Sequence, residues 1–169
     1  DATNNSYLSK LGISREEFWK DREKELEMYT LSQINLEEFL SSQLKKSGLS
    51  IEKLPIVKEL HENGLRIVDG IVPILDSLSQ KYSLILMAGE GKESLALKLD
   101  KFHLRKYFSK IYATSFSKMD KTNISFYKLI LSESNLQPDE ILFIDDQMRF
   151  IETAKKAGMK TIKFEDVKQ

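Results

Sequence analysis

Two adjacent carboxylates, Asp145 and Asp146, directly follow the apolar run Ile141 to Ile144 and form the strongest chemical pattern in the sequence. At the end of a buried strand, the two side chains face desolvation and mutual repulsion unless a cation relieves both. Such an oxygen-rich pair suits Mg²⁺, which takes one or two carboxylates together with water and phosphate oxygens. The alternative is a polar turn in which Asp146 caps the following helix. The pair by itself favours neither interpretation.

A lysine in a nearby predicted loop is the second candidate. Lys121 precedes the helical segment that contains Phe126 and Tyr127, and its loop is expected to emerge beside the acidic pair. A lysine placed there could hold a phosphoryl oxygen and offset the carboxylate charge. A solvated surface lysine is the ordinary alternative in a chain so rich in lysine. Lys118 competes for the same role.

Two glycines could form an anion-binding turn. Gly89 and Gly91 follow the apolar run Leu84 to Ala88 and precede a predicted helix. Backbone N–H groups and a helix amino terminus can cradle an anion at such a place, although a tight turn is the commoner use of this spacing. His61 and His103 have no carboxylate or second histidine at ligand spacing, so both are interpreted as structural.

The first third of the chain, from Ser14 to about Ser47, is predicted to be helical. Apolar residues recur there among Glu and Lys with no proline to interrupt them. Gly48 is the expected stop. A Ser or Asn followed three residues later by Glu is the spacing of a capping box, which marks helix starts at Ser14 with Glu17 and at Asn35 with Glu38.

Beyond Gly64, short apolar runs alternate with amphipathic helical segments. This rhythm implies right-handed crossovers and a parallel sheet covered on both faces. In such sheets, chemistry collects at the carboxyl ends of the strands. Three of those ends carry polar or backbone-permissive residues, namely 88–91, 114–115 and 145–146. The predicted strands are 84–88, 111–113, 141–144 and 161–164, and the predicted helices are 71–81, 93–102, 124–135 and 150–157.

The composition narrows the possible partners. Lys plus Arg and Asp plus Glu both total 26 in 169 residues, so no long-range field attracts nucleic acid or an anionic membrane. The absence of cysteine excludes disulfides and thiolate metal sites and suits a reducing cytoplasm. The apolar runs are too short to span a bilayer, and no leader pattern opens the chain. A cytoplasmic globular protein is expected, of unspecified oligomeric state.

Three stretches resemble the motifs of the haloacid dehalogenase (HAD)-like hydrolase superfamily. ILFIDDQMRFIETAKKAGMKTIKFED, from Ile141, is similar to the fourth motif and the helix and strand behind it. KTNISFYKLIL, from Lys121, is similar to the third motif, and VDGIVPILDSLSQKYSLILMAGE leads into the second. Residues 7–54 resemble the helical cap that one subfamily inserts after its first strand. The resemblance implies an α/β fold in which residues 67–169 form a three-layer, Rossmann-like parallel sheet and residues 1–66 a small all-helical cap.

The resemblance also implies a function, that of a Mg²⁺-dependent phosphatase acting on a small phosphorylated molecule. It assigns Asp146 as a Mg²⁺ ligand, Asp145 as its partner at the metal, and Lys121 as the catalytic lysine that binds phosphate. Ala88 and Gly89 fall where the family binds the phosphoryl group. Acid dehalogenases share the scaffold without a metal, and the acidic pair favours the phosphatase branch.

Three positions depart from the family pattern. Ala88 stands where a Ser or Thr hydroxyl usually binds the phosphoryl group, Phe150 where Asn is common, and Thr122 where Pro usually follows the lysine. Ala88 and Phe150 each remove a polar group expected around the phosphate. They favour an alternative, a catalytically degenerate relative that binds a phosphorylated ligand or a protein partner. A phosphoacceptor signalling domain fits less well, because its acidic pair belongs on the first strand.

The family's first motif, a hydrophobic strand ending in Asp-x-Asp, has no match in the chain. In that motif the first Asp attacks phosphorus and the second exchanges a proton with the leaving group. Residues 1–5 are polar and resemble the segment just after the motif, so Asp1 is not expected to be the nucleophile. The missing strand is expected between the strands that end at Ala88 and Asp145. The chain alone is therefore expected to be inactive.

Overall fold

The computed structural model describes Leu8 and residues 11–168, which leaves Asp1 outside the described residues. Along this part of the chain, the helices are α1 (Arg15–Phe18), α2 (Glu23–Thr30), α3 (Leu36–Lys46), α4 (Leu54–Gly64), α5 (Ile71–Ser79), α6 (Lys92–Lys101), α7 (Thr114–Ser117), α8 (Ile124–Ser134) and α9 (Met148–Lys156). The strands are β1 (Leu84–Ala88), β2 (Phe108–Ala113), β3 (Leu142–Asp145) and β4 (Lys160–Lys163). Short 3₁₀ turns lie at Ile51–Lys53, Arg105–Tyr107 and Pro138–Glu140.

The chain forms two compact units. The first contains the residues up to Ile67 together with Glu90–Lys106, and the second contains Val68–Gly89 and the residues from Tyr107 onward. The regular structure described in the first unit is helical throughout, whereas the second unit contains β1 to β4. Helix α6, which follows β1 in sequence, therefore packs with the helices that precede β1.

Both capping boxes form in the first unit. Ser14 and Glu17 exchange hydrogen bonds of 3.0 and 3.1 Å between side chain and backbone, and Asn35 and Glu38 do the same at 2.8 and 2.9 Å. The prediction of a long, continuous helix that starts at Ser14 is wrong, because α1 is a single turn. The chain turns through Asp21, whose φ is 52°, and helix resumes only at Glu23. A left-handed residue cannot continue a right-handed helix.

The core of the first unit is apolar and aromatic. The ring of Phe39 stacks on Trp19, with centroids 6.0 Å apart, and on Tyr29, with centroids 5.3 Å apart. Offset aromatic pairs at such distances add to the free energy of burying the rings. The buried members of this core are Leu8, Leu11, Phe18, Tyr29, Leu36, Phe39, Leu40, Leu44 and Val57.

A buried hydrogen-bond chain ties α6 to α2 and α4. The Ser94 hydroxyl lies 2.8 Å from the Tyr29 hydroxyl and 2.8 Å from His61 Nε2, and the Ser94 backbone N–H donates to the Tyr29 hydroxyl at 3.1 Å. A Cβ at Gly91 would lie 2.1 Å from the Tyr29 ring, so only glycine allows this approach. Every hydroxyl hydrogen in this chain has one acceptor if the Tyr29 hydroxyl donates to the Ser94 hydroxyl and the Ser94 hydroxyl donates to His61 Nε2. That order requires His61 Nε2 to be an acceptor, and therefore neutral.

We expect this network to make stability depend on the charge of His61. Burial lowers the pKa of His61 below its ordinary value of 6.5. The positive charge of Lys98 lowers this pKa further, whereas the negative charges of Glu90 and Glu62 partly oppose the shift. The unfolded chain therefore binds the proton more readily, so the free energy of unfolding is constant above about pH 7 and falls as the pH drops toward about 5. The slope should stay below about 1.4 kcal/mol per pH unit, the value for one whole proton. Urea denaturation across this range measures it.

The His61→Gln variant is the control for this pH dependence. Glutamine keeps polar atoms near Ser94 but does not titrate, so its slope over the same range should be smaller. Equal slopes for the two proteins would contradict a neutral, buried His61.

The strands of the second unit form two separate parallel pairs. β1 pairs with β2, ending in the register Ala88 to Ala113, and β3 pairs with β4, ending in the register Asp145 to Lys163. Each predicted strand has an observed counterpart, and the observed ends lie within three residues of the predicted ones. The predicted ranges are 84–88, 111–113, 141–144 and 161–164. Among the described residues, β1 and β3 each have one hydrogen-bonded neighbour, so each presents a free edge.

Strand β3 is buried on one face only, which corrects the prediction of a fully buried strand. Phe143 is 6% exposed and packs against α8 and α9, whereas Leu142 and Ile144 are 51% and 47% exposed. Successive side chains of a strand point to opposite faces, and the two helices cover only the Phe143 face. Ile162, which pairs with Ile144, is also exposed at 40%. The sheet of β3 and β4 therefore has an open apolar face.

Candidate active site

The centre of the candidate site is an ion pair between Lys121 and Asp145. Lys121 Nζ lies 2.5 Å from Asp145 Oδ2, and the two side chains are only 7% and 10% exposed. Asp145 is the last residue of β3, and Lys121 lies in the loop before α8. The loop before α8 thus meets the carboxyl end of β3, as the sequence predicted. Lys118, the competing candidate, is exposed and forms no ion pair with another described residue.

A local turn fixes the backbone on either side of Lys121. Asp120 Oδ1 accepts hydrogen bonds from the Thr122 backbone N–H at 2.7 Å and from the Thr122 hydroxyl at 2.6 Å. Asn123 then caps α8 by accepting a hydrogen bond from the Ser125 backbone N–H at 2.9 Å. Aspartate side chains commonly stabilise such turns. Thr122 therefore supplies hydrogen bonds at the position where a proline was expected.

The stem of Lys121 passes directly over the turn that follows β1. A Cβ added to Gly89 would lie 3.1 Å from Lys121 Cδ, so the lysine stem would have to shift by a few tenths of an ångström. Ala88, the last residue of β1, is buried and offers no polar side-chain atom. The structure thus brings Ala88, Gly89, Lys121 and Asp145 to one edge of the second unit. Gly91 belongs to the first unit, where it accommodates Tyr29.

Two aromatic rings enclose the Lys121 amine. Its Nζ lies 4.5 Å from the ring centroid of Phe150 and 5.6 Å from that of Phe143. Cation–π contacts of this kind strengthen when the cation is desolvated, and Lys121 is 6% exposed. The sequence marked Phe150 as a departure from a pattern but did not predict its contact with the lysine. Phe150 helps to hold Lys121 against Asp145.

A buried tyrosine lies beneath the same site. Tyr127 is fully buried, and its hydroxyl donates to the Phe150 carbonyl oxygen at 3.3 Å. Burial, followed by the nearby charges of Asp145 and Asp120, raises the pKa of Tyr127 well above its usual range. The hydroxyl therefore stays protonated at any physiological pH and acts as a fixed donor.

The two carboxylates of the pair have different surroundings. Asp145 uses both oxygens, since Oδ2 meets Lys121 and Oδ1 accepts a hydrogen bond from the Gln147 backbone N–H at 2.9 Å. Asp146 is exposed, and its side chain has no hydrogen bond or ion pair with the other described residues. Asp146 therefore offers the free carboxylate, while Asp145 is held by the protein.

The donor set fits Mg²⁺ only in part. Among the described residues, no group of three or more His, Cys, Asp or Glu side chains converges to hold a metal ion. Mg²⁺ is nevertheless commonly bound through one or two carboxylates, with water and substrate phosphate completing the shell. Asp146 alone would suit that mode, with Asp145 beside it.

The carboxyl end of β2, where the sequence placed the polar pair 114–115, offers no identified ligand for a metal or a phosphate among the described residues. Thr114 and Ser115 begin α7, directly after β2, and both are buried. The Ser115 hydroxyl has no hydrogen-bond partner among the described residues. The Ser115 side chain therefore has no hydrogen bond to Lys121 or Asp145.

The chain belongs to the haloacid dehalogenase-like hydrolase family, whose model matches residues 3–164. A search of curated proteins by sequence gave no match. The part of the chain that the structure describes contains no helix long and apolar enough to cross a membrane.

Solved structures of this family share the fold at low sequence identity. A HAD family enzyme from Bacteroides thetaiotaomicron, BT-2542 in a magnesium complex, superposes with a TM-score of 0.77 at 20% identity, over 98% of this chain and 85% of that one. The same enzyme was also solved with magnesium and inorganic phosphate. A predicted HAD-like hydrolase from Porphyromonas gingivalis gives 0.75 at 20%, over 98% and 84%. The L-2-haloacid dehalogenase from Xanthobacter autotrophicus, with chloropropionic acid covalently bound, gives 0.68 at 13%, over 96% and 71%.

We expect Lys121→Met to lower the free energy of unfolding by about 3–5 kcal/mol, because it leaves the buried Asp145 carboxylate without its counter-charge. Adding Asp145→Asn removes that charge, so the double variant should lose less than the sum of the two single variants. Urea denaturation of the four proteins gives the coupling energy. Lys118→Met, in the same loop but exposed, should change stability by no more than about 0.5 kcal/mol. Equal losses from the two lysine substitutions would contradict the ion pair.

Proposed function

We propose that this chain is the larger part of a Mg²⁺-dependent phosphomonoester hydrolase that acts through an aspartyl-phosphate. The observation that supports it most strongly is the buried Lys121–Asp145 pair beside Gly89, with Asp146 free and exposed at the same strand end. A fixed positive charge next to a free carboxylate suits a metal-bound phosphoryl group better than a neutral apolar substrate. The phosphate and magnesium complexes of the B. thetaiotaomicron enzyme support the same chemistry by analogy of fold.

Each residue of the site has a proposed role. Asp146 holds the metal, and Asp145 orients Lys121 and offsets part of its charge. Lys121 places a cation at the phosphoryl group, and Gly89 leaves room for the lysine stem and a backbone N–H for the phosphate. When bound, Mg²⁺ would supply Lewis-acid stabilisation of charge on the phosphoryl oxygens.

The nucleophile is proposed to be a carboxylate on a further strand that lies between β1 and β3. The free edges of these two strands support this, because unpaired backbone N–H and C=O groups at an apolar sheet edge are a template for another strand. The exposed Leu142 and Ile144 side chains support it as well. Water entering the same site would then hydrolyse the aspartyl-phosphate.

The lack of cysteine favours a reducing compartment such as the cytoplasm.

Extending the chain tests this proposal. An apolar strand ending in Asp-x-Asp, placed before Asp1, should give Mg²⁺-dependent release of p-nitrophenol from p-nitrophenyl phosphate, whereas the unextended chain should show none. In the extended protein, Asp146→Asn should lower kcat by more than about 100-fold, because even the loss of an outer-shell partner of a metal costs about 10- to 100-fold. Asp139→Asn, an exposed acid elsewhere in the same unit, is the control. An unchanged rate in Asp146→Asn would exclude the assigned role.

Ala88 favours a second candidate function, that of a non-catalytic relative that binds a phosphorylated ligand. A buried alanine at the end of β1 gives the phosphoryl group no hydroxyl donor. Ala88→Ser in the extended protein separates the two candidates. If the chain is an enzyme, the added hydroxyl should raise kcat, by up to about tenfold for one neutral hydrogen bond. An extended chain that binds phosphate but stays inert with either residue would replace the hydrolase proposal with the binding one.

A further inference from the structure

The buried cation of the site is already partly engaged by the protein. Lys121 is 6% exposed, its amine is paired with Asp145, and the Phe150 ring lies 4.5 Å away. Ala88 and Gly89 have no side-chain donor to offer. Beyond Lys121 and the Gly89 backbone N–H, a phosphoryl group at this edge would therefore gain from a further side-chain donor that is exposed to solvent.

Arg149 is an exposed cation that the structure holds in place without neutralising it. Its guanidinium carbon lies 4.6 Å from the centroid of the same Phe150 ring, and its Nε donates to Gln147 Oε1 at 3.0 Å. Those two contacts leave the terminal N–H groups without a hydrogen bond or ion pair to any other described residue. Lys121 and Arg149 thus both contact the Phe150 ring, Lys121 as a buried cation and Arg149 as an exposed one.

Arg149 and Asp146 are also unpaired with each other, although three positions apart in sequence. Each is exposed, and no ion pair forms between them within the described part of the chain. Gln147 and Phe150 instead hold the guanidinium. An uncompensated acid and an uncompensated arginine on one turn suit a ligand that brings both a metal ion and an anion. The planar guanidinium fork matches two phosphate oxygens.

We propose that Arg149 is a phosphate-binding residue of this chain, and that it donates to the phosphoryl oxygens in place of the side-chain donors missing at Ala88 and Gly89. Phe150 acts as the positioning residue for both cations. The inference rests on the proposed function, since it assumes that a phosphoryl group occupies this edge of the second unit. It applies equally to a hydrolase and to a non-catalytic phosphate-binding protein.

Titration of inorganic phosphate into the full chain, with Mg²⁺ in excess, tests the inference. Calorimetry gives the Kd, and thermal melts check that each variant is folded. Arg149→Gln should weaken phosphate binding by about tenfold or more, the loss expected for a charge-assisted hydrogen bond. Arg149→Lys keeps the charge but not the fork and should bind with intermediate affinity. Lys155→Gln removes an exposed cation from the last turn of the same helix and should change the Kd by less than twofold.

The outcomes separate this inference from the function. Phosphate binding that is equal in the original chain and in Arg149→Gln overturns the role of Arg149 and leaves the hydrolase proposal standing. Equal losses in Arg149→Gln and Lys155→Gln also overturn it, because they indicate general charge attraction. An original chain that binds no phosphate overturns it as well. If Arg149→Gln weakens binding while the extended protein remains inactive, the inference holds and the hydrolase proposal fails.

Discussion

The buried ion pair between Lys121 and Asp145 is the interaction on which the rest of the site depends. Neither charge would be stable alone at an exposure of 7% or 10%, because desolvating one ion costs several kcal/mol. Together they fix the carboxyl end of β3 against the loop before α8. Three further features help to hold the Lys121 amine in this position. They are the rings of Phe143 and Phe150, the small Gly89 after β1, and the turn stabilised by Asp120.

The pairing also explains why the two adjacent aspartates behave differently. Asp145 is the residue whose oxygens the protein satisfies, so it acts as part of the scaffold. Asp146 faces solvent with its carboxylate free, so it is the one available to a ligand. In the proposed function, Asp145 therefore positions Lys121 while Asp146 binds the metal. Among the cations, Lys121 is buried and paired, whereas Arg149 is exposed and unpaired beside the same Phe150 ring.

Much of the fold could be predicted because its information is local. The apolar runs located the four strands that the structure describes, and the Ser14 and Asn35 caps follow from a three-residue spacing. The shared position of Lys121 and Asp145 follows from the rule that parallel strands collect their loops at one edge. The roles assigned to these residues remain predictions.

Other features could not be predicted because they depend on distant residues. An apolar run such as 141–144 has the same sequence pattern whether one face of its strand or both faces are buried. The exposure of Leu142 and Ile144 could therefore not be predicted from it. Ser94 meets partners 33 and 65 positions away, a relation that no local spacing contains. The contact between Phe150 and Lys121 depends on how α9 packs, and the early end of α1 depends on the left-handed turn at Asp21.

Paramagnetic broadening by Mn²⁺, used in place of Mg²⁺, tests most directly whether the ion pair organises a metal and phosphate site. On an assigned ¹⁵N spectrum of the chain with phosphate present, we expect the amide signals of Gly89 and of residues 145–147 to be lost first. The first unit offers a competing cleft of about 720 Å³, whose lining includes Glu37, Glu38, Glu62 and Glu93 together with Lys58. Broadening centred on that cleft, with the signals of Gly89 and Asp146 unaffected, would contradict the account.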